Sequence, residues 1–280
     1  MAGRSVAQPR GMALIAVLWM VAALGIIATG LLHTVKGEIR LAGHQRQNVV
    51  AGALADAAIR WVLQDVSARK PALVRSIYID VPLQGGLVRT EVRPLNGLID
   101  LNQAPEPLLA ALFQHAAGLP PADSAQLAQA VVETRKRPDP QGRPEGFDAP
   151  EDLLRVPGVS YPLYATIARL VSASLKGSGR VNPQAAPVPV LAVLAQGNTA
   201  LASQLAAARD SSPLPMDTTQ LTPDFIDASA ATAIQVAARV PLADGAHLVK
   251  TWWVGLSASG QTGLPWQVLE TRQHIEPLAP

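Results

Sequence analysis

Cysteine is absent from the 280 residues, which excludes disulfide scaffolds, thiolate metal sites and cysteine nucleophiles. The absence suits an oxidising compartment, where a stray thiol is a hazard, without requiring one. Aromatic residues are scarce at 4%, so the hydrophobic content of 49% is carried mainly by small and aliphatic side chains. Charged residues make up only 16%, and with a mean hydropathy of +0.19 the chain is not a disordered one. No charge of one sign predominates: 23 Lys and Arg face 21 Asp and Glu, and the two excess cations, Arg4 and Arg10, precede every acid. The remaining chain is neutral and poorly equipped to hold a polyanion, so no nucleic-acid partner is expected. What is plentiful is punctuation: 24 Pro and 21 Gly imply short elements cut by frequent turns.

The most informative run is Met12 to Leu32, which carries no charge, contains no Pro and has only Thr29 as a polar residue. As a helix it spans about 30 Å, the hydrocarbon thickness of a bilayer. Arg4 and Arg10 ahead of it hold the N-terminus on the cytoplasmic side and send the rest across. Three readings compete: a plain signal anchor, a secretory signal cut after Ala28-Thr29-Gly30, and a prepilin-type leader cut at Gly11-Met12. In the third, a side-chain-free Gly11 gives a membrane-embedded protease close access to the backbone. The residues beyond the run favour that reading. Val35 to Val66 contains no Pro, and Val35, Ile39, Ala42, Val50, Leu54, Ala57, Trp61 and Val62 recur near helical spacing. A helix over Met12–Val66 would be about 80 Å long. A cleaved secretory signal has no reason to continue as an amphipathic helix.

Lys70-Pro71 ends that helix. Ile77–Val81 and Leu87–Val92, joined through Gln84-Gly85-Gly86, predict a β-hairpin. The period then changes, and Pro107–His115, Ala122–Arg137, Pro150–Arg155, Tyr161–Leu175, Pro187–Leu194 and Thr199–Ala208 are expected as helices, several with Pro in the first turn. The β pattern returns in Ile234–Val240, His247–Leu256 and Trp266–Gln273. The predicted class is α+β, a long N-terminal helix on an antiparallel sheet interrupted by an all-helical insertion. The boundaries expected are a leader 1–11, the long helix 12–66, a first β part 67–101, the insertion 102–215 and a second β part 216–280. Within the insertion, Ala104-Pro105-Glu106-Pro107-Leu108 through Leu112 repeats as Ala186-Pro187-Val188-Pro189-Val190 through Leu194, with Asn102 and Asn182 shortly before. Each copy looks like a strand-to-helix launch, a structural device rather than a catalytic one.

Chemistry-bearing patterns are few. Leu153–Val159 resembles half of a helix-hairpin-helix, yet Ser160 stands where a second Gly would expose amides to phosphate. Arg135, Lys136, Arg137 and Arg143 are offset by Asp139, Glu145, Asp148, Glu151 and Asp152. That acidic set is read as a solvated loop and helix start. His33, His44, His115, His247 and His274 have no metal-ligand spacing, and no nucleophile elbow, phosphate loop or zinc helix motif occurs. No catalytic residue, cofactor or metal is expected. Of Trp252, Trp253 and Trp266, at least one is expected in the core.

Taken with the leader and the Asn-Gln-Ala-Pro launch, the chain resembles the protein K family of type II secretion systems. The residues that carry the resemblance are Arg10–Leu14, Gly97–Leu112, Phe147–Leu154 with Val156–Val159, and Gly179–Asn182 leading into Ala186-Pro187. The resemblance implies a minor pseudopilin at the tip of a periplasmic pseudopilus, acting in the export of folded proteins and without enzymatic activity. It implies processing at Gly11 and Met12 by a prepilin peptidase, methylation of the new N-terminus and a single inner-membrane span with the globular part in the periplasm. Implied partners are minor pseudopilins of the protein I and protein J types, the major pseudopilin and the peptidase. Ala16, at the fifth mature position where most pilins carry Glu, matches the tip subunit. The family's acidic segment before Phe147 is missing, so its calcium sites are not carried over. A DNA-binding competence-type membrane protein, using the hairpin-like segment, is the alternative.

Overall fold

The computed structural model describes residues 10–84, 86–138, 142, 144–173, 177–212, 214–258 and 263–277, and within the first helix the side chains at 17–24, 43 and from 45 onward. The chain divides into two units between Ala53 and Leu54. The first unit is helical, the opening part of α1 (Arg10–Arg69). The helix is longer at both ends than the Met12–Val66 expected. It stops where Lys70 turns left-handed at φ 48°, its N–H donating to the Val66 carbonyl at 2.8 Å, and Pro71 prevents resumption.

In the second unit, the last turns of α1 bury Ala55, Ala58, Ile59, Val62, Leu63 and Val66, a stripe of helical period. A five-stranded antiparallel sheet lies in the same unit: β1 (Ile77–Leu83), β2 (Gly86–Pro94), β5 (Ala233–Pro241), β6 (His247–Gly255) and β7 (Gln267–Glu276), in that spatial order. The register aligns Val92, Val236 and Trp252, and beside them Thr90, Ala238 and Lys250. Lys250 reaches the Asp56 carboxylate at 2.7 Å, and Arg60 lies 5.6 Å over the Trp252 ring, so this is the face that the helix covers. Trp252 and Trp266 are buried.

Neighbouring strands β2 and β5 are separated by a long insertion that leaves and re-enters the sheet at one place. Leu95 and Ala233, both buried, pack there with Leu98 and Trp253. The insertion contains β3 (Ile99–Asp100), α2 (Glu106–His115), α3 (Pro121–Lys136), α4 (Tyr161–Ile167), β4 (Val171–Ser172), α5 (Val188–Leu194) and α6 (Thr199–Ser211). Pro150–Arg155 forms a 3-10 turn rather than an α-helix. Its core holds Leu108, Leu112, Phe113, Leu153, Ile167 and Leu191, all fully buried. Met216, Leu221 and Phe225 belong to the same core, so the block runs past 215 and the sheet resumes only at Ala233.

The helix expected over Tyr161–Leu175 is shorter. It ends at Ile167, and Val171–Ser172 is β4 instead, because Leu170 and Ser172 carbonyls accept from Ile99 and Leu101 N–H at 2.9 and 2.8 Å, while Ser174 and Leu175 lie outside the described residues. The β-branched, buried Val171 pairs in parallel with Ile99. The insertion is therefore not all helical: among the described residues it carries this ladder, a parallel bridge from Val181 to Ile226 and an antiparallel one from Pro138 to Pro144.

Candidate functional site

The repeated launch is the best-defined construction in the insertion. Placing Ala104 on Ala186 also places Gly97 on Gly179, Ile99 on Val181, Asp100 on Asn182 and Pro105 on Pro187. The structural counterpart of Asn182 is thus Asp100, not Asn102. The Asp100 carboxylate accepts from Asn102 and Gln103 N–H at 2.6 and 3.1 Å, and the Asn182 side-chain oxygen accepts from Gln184 N–H at 3.0 Å. Each forms a side-chain turn that frees the following Pro to open a helix.

An arginine holds each launch at equivalent atoms. Arg135 Nη1, at the end of α3, donates to the Leu101 and Ala104 carbonyls at 3.0 and 2.8 Å. Arg209 Nη1, near the end of α6, donates to the Pro183 and Ala186 carbonyls at 3.5 and 2.6 Å. Burial lowers the Arg135 value below that of an ordinary guanidinium, against the attraction of Asp100. The two halves also interlock. A Cβ on Gly97 would collide with the backbone of Ala185 and Ala186, and a Cβ on Gly179 with that of Gln103 and Ala104. Each glycine therefore lies against the other copy's launch, a reciprocal contact typical of a two-fold arrangement.

Asn102 has its own task. Its amide donates to the Phe147 and Ala173 carbonyls at 2.8 and 2.6 Å, and its oxygen accepts from Phe147 N–H at 2.8 Å. It ties the start of the 147–156 segment to the end of β4. Asp152 accepts from Asp148 and Ala149 N–H, capping the 3-10 turn as the acidic reading expected. Glu151 pairs with Arg272 of β7 at 3.1 Å, and Arg272 lies 5.4 Å over Trp253. Burial and the Glu151 carboxylate together push the Tyr164 hydroxyl above its ordinary value.

The helix-hairpin-helix-like segment is arranged for packing. Gly158, at φ 91°, has Leu127 Cδ2 where a Cβ would stand, and Ser160 Oγ caps α4 by accepting from Leu163 N–H at 3.5 Å. Of the basic residues beside it, Arg135 is committed to carbonyls and Arg155 to Glu145 and Asp152. Arg143 lies outside the described residues. Among the described residues, no group of three or more His, Asp or Glu is placed to hold a metal ion.

The processing residues Gly11 and Met12 fall in the backbone of α1, while residues 1–9 and the side chains at 10–16 lie outside the described ones. Within the apolar run, Val17–Leu24 is described, and its large side chains are all exposed, Trp19 at 73%. Such a continuous uncovered apolar surface needs lipid or another helix over it. Among the described residues no helix is long and apolar enough to cross a membrane, the side chains of the rest of Met12–Leu32 lying outside them.

Sequence reasoning missed the roles of Arg135, Arg209 and Asp100. A findable signal existed, because both arginines stand in the last turn of the second helix after a launch. No protein-family model matches the chain, and no curated protein matches it. Among solved structures, it is similar to a chain in the crystal structure of the GspK-GspI-GspJ complex from the enterotoxigenic Escherichia coli Type 2 Secretion System. That match has a TM-score of 0.53 at 15% identity and covers 85% of this chain and 99% of the other. The chain accordingly has a pilin-like α+β fold, a long helix on an antiparallel sheet with a helical insertion, shared with a chain of that complex.

Proposed function

We propose that the protein is a minor pseudopilin of a type II secretion system, a tip subunit that helps to start and cap the pseudopilus. The observation that carries this reading is architectural. The last turns of a long helix cover an antiparallel sheet, a large insertion enters between two adjacent strands, and this chain matches 99% of a chain of the GspK-GspI-GspJ complex of a Type 2 Secretion System. The work done would be assembly and transmission of movement, without bond chemistry.

Each part has a physical task in that reading. Met12–Leu32 anchors the chain in the inner membrane, with Arg4 and Arg10 on the cytoplasmic side and the globular unit in the periplasm. Small residues such as Ala22 and Ala23 allow neighbouring helices of protein I- and protein J-type partners to approach closely in lipid. The Asp56–Lys250 pair, at 2.7 Å, and the Arg60–Trp252 contact fix how the last turns of α1 lie on the sheet. Ala16 removes the carboxylate that a shaft subunit would use toward a neighbour ahead, an expensive group in lipid when unpaired. The bulk of the insertion prevents a further subunit from stacking, so the major pseudopilin adds beneath.

Processing tests the reading. Coexpression of the full chain with a prepilin peptidase should give a mature protein that starts at a methylated Met12, and Gly11→Leu should block the cut. A mature start at Leu31 would identify a secretory signal and an intact Met1 a plain anchor, and either overturns the proposal.

A further inference from the structure

An open groove of about 550 Å³ lies where the ends of α2 and α4 and the start of α5 approach β2. Its cations are Arg93 from β2 and Arg169 after α4, with the His115 side chain at the end of α2 between polar and apolar lining, and its apolar floor includes Leu170, Val188 and Ala192. Among the described residues lining it there is no carboxylate. Arg169 is exposed and, among the described residues, makes no ion pair or hydrogen bond. A second groove of about 780 Å³ shares Arg93 and Pro187 with the first and adds Arg75 and Arg209. Its two carboxylates are already engaged, Glu91 with Arg93 at 2.7 Å and Asp210 with Arg209 at 2.8 Å. Arg75 makes a bond to a neutral group, the Ser212 carbonyl, at 3.1 Å. The joined surface therefore carries surplus positive charge on a chain whose body is otherwise balanced.

We propose that this groove binds an extended acidic segment of a partner protein, its carboxylates pairing with Arg169 and Arg93 and its apolar side chains resting on Leu170, Val188 and Ala192. Charge complementarity selects the partner's sign, and the apolar floor selects a polypeptide. A nucleic acid is the poorer occupant. The cations are too few to neutralise a run of phosphates; among the described residues lining the first groove there is no Phe, Tyr or Trp on which bases would stack, and the second groove adds only Tyr78. This inference stands independently of the secretion reading, since it uses only the groove's own residues.

The test uses the full chain in a non-ionic detergent and a fluorescein-labelled decapeptide in which Glu alternates with Leu and Pro. Its Lys counterpart and a single-stranded DNA of equal charge serve as controls, with binding read by anisotropy. The acidic peptide should bind at least about ten-fold more tightly than either control and weaken as salt is raised. Arg169→Glu should lower its affinity about ten-fold or more, whereas Arg169→Lys should largely keep it. Val188→Glu is the second variant. Val188 is the first residue of α5 and 38% exposed, a position where a carboxylate suits the helix start, so folding is preserved while an acid enters the groove. It too should repel the peptide. Equal affinity of wild type and Arg169→Glu, binding of the DNA or the Lys peptide as tight as that of the acidic peptide, or no binding of it would each overturn the proposal.

Discussion

The two launches inside the insertion have nearly the same backbone design and differ in how the chain returns to them. At the first, Ile99 and Leu101 both donate to the returning chain, giving a two-residue parallel ladder. At the second, Val181 donates to the Phe225 carbonyl in the equivalent way, but Pro183 stands where Leu101 donates and has no N–H to offer. Only a single bridge forms, Val181 to Ile226, closed by Asp227 N–H to the Val181 carbonyl at 2.9 Å. The returning chains differ as well: the first carries the 3-10 turn and α4, the second only a three-residue 3-10 turn. The shared parts are those that lock one copy to the other.

The lock is also where the comparison breaks most forcefully. Gly97 requires only space, since a Cβ there would meet Ala186 N at 2.7 Å and the Ala185 carbonyl closer still. Gly179 requires space against Gln103 and also sits at φ 74°. Because the obstacle is backbone at both sites, no rotamer change relieves it. Gly97→Ala should cost about 3 kcal/mol. Gly179→Ala should cost about 1 kcal/mol more for the left-handed conformation. Urea melts monitored by tryptophan emission read both. A Gly97→Ala chain as stable as wild type would remove the reciprocal interlock, and equal costs would remove the asymmetry.

This pairing explains what a linear reading captured and what it did not. The long helix, the hairpin and the last three strands each announce themselves by local period, and Ala104–Leu112 matched against Ala186–Leu194 is visible as text. Gly97 and Gly179 were visible only as markers, because the contact that needs them joins each to the other copy. Arg135 looked like one of several surface cations beside a hairpin-like segment. Periodicity tells which side of α3 it occupies, but not that two carbonyls of the first launch lie there. Strand β4 escaped because two residues are too few to establish an alternation, and Tyr161–Ile167 ahead of it is helical. The expected site itself, Gly11-Met12, was a matter of local grammar, a glycine between a basic leader and an apolar run.

The arginine clamps offer an intermediate effect. Arg135 makes two bonds of ordinary length, whereas one of the two made by Arg209 is 3.5 Å long and its side chain is shared with Asp210. Charged hydrogen bonds of this sort contribute about 1.5–3 kcal/mol. Arg135→Met should therefore cost about 3 kcal/mol and Arg209→Met about 1.5 kcal/mol, read in the same melts. If the Arg209 variant proved the weaker chain, the second launch and not the first would be the principal hold on the insertion.

The finest difference between the copies is one of charge. The return of the first copy is pinned by the neutral Asn102 at the Ala173 carbonyl, and that of the second by the carboxylate of Asp227, which accepts from Ser178 Oγ at 2.6 Å and Ser229 N–H at 2.9 Å. Those two bonds, the Ser178 hydroxyl foremost, hold the Asp227 carboxyl below the usual carboxylate range. A depressed acid adds stability that is fully present above its unfolded value and is lost as the pH falls through its folded value. Ser178→Ala should thus lower the melting temperature slightly at about pH 7, with the gap from wild type closing only as the pH falls below the usual carboxylate range and Asp227 protonates in both chains. Asn102→Ala, which removes only neutral bonds, should lower the melting temperature by a similar amount across the same range. A Ser178→Ala deficit that persists unchanged in acid would mean that the hydroxyl acts by packing, and that the two returns are held in the same way.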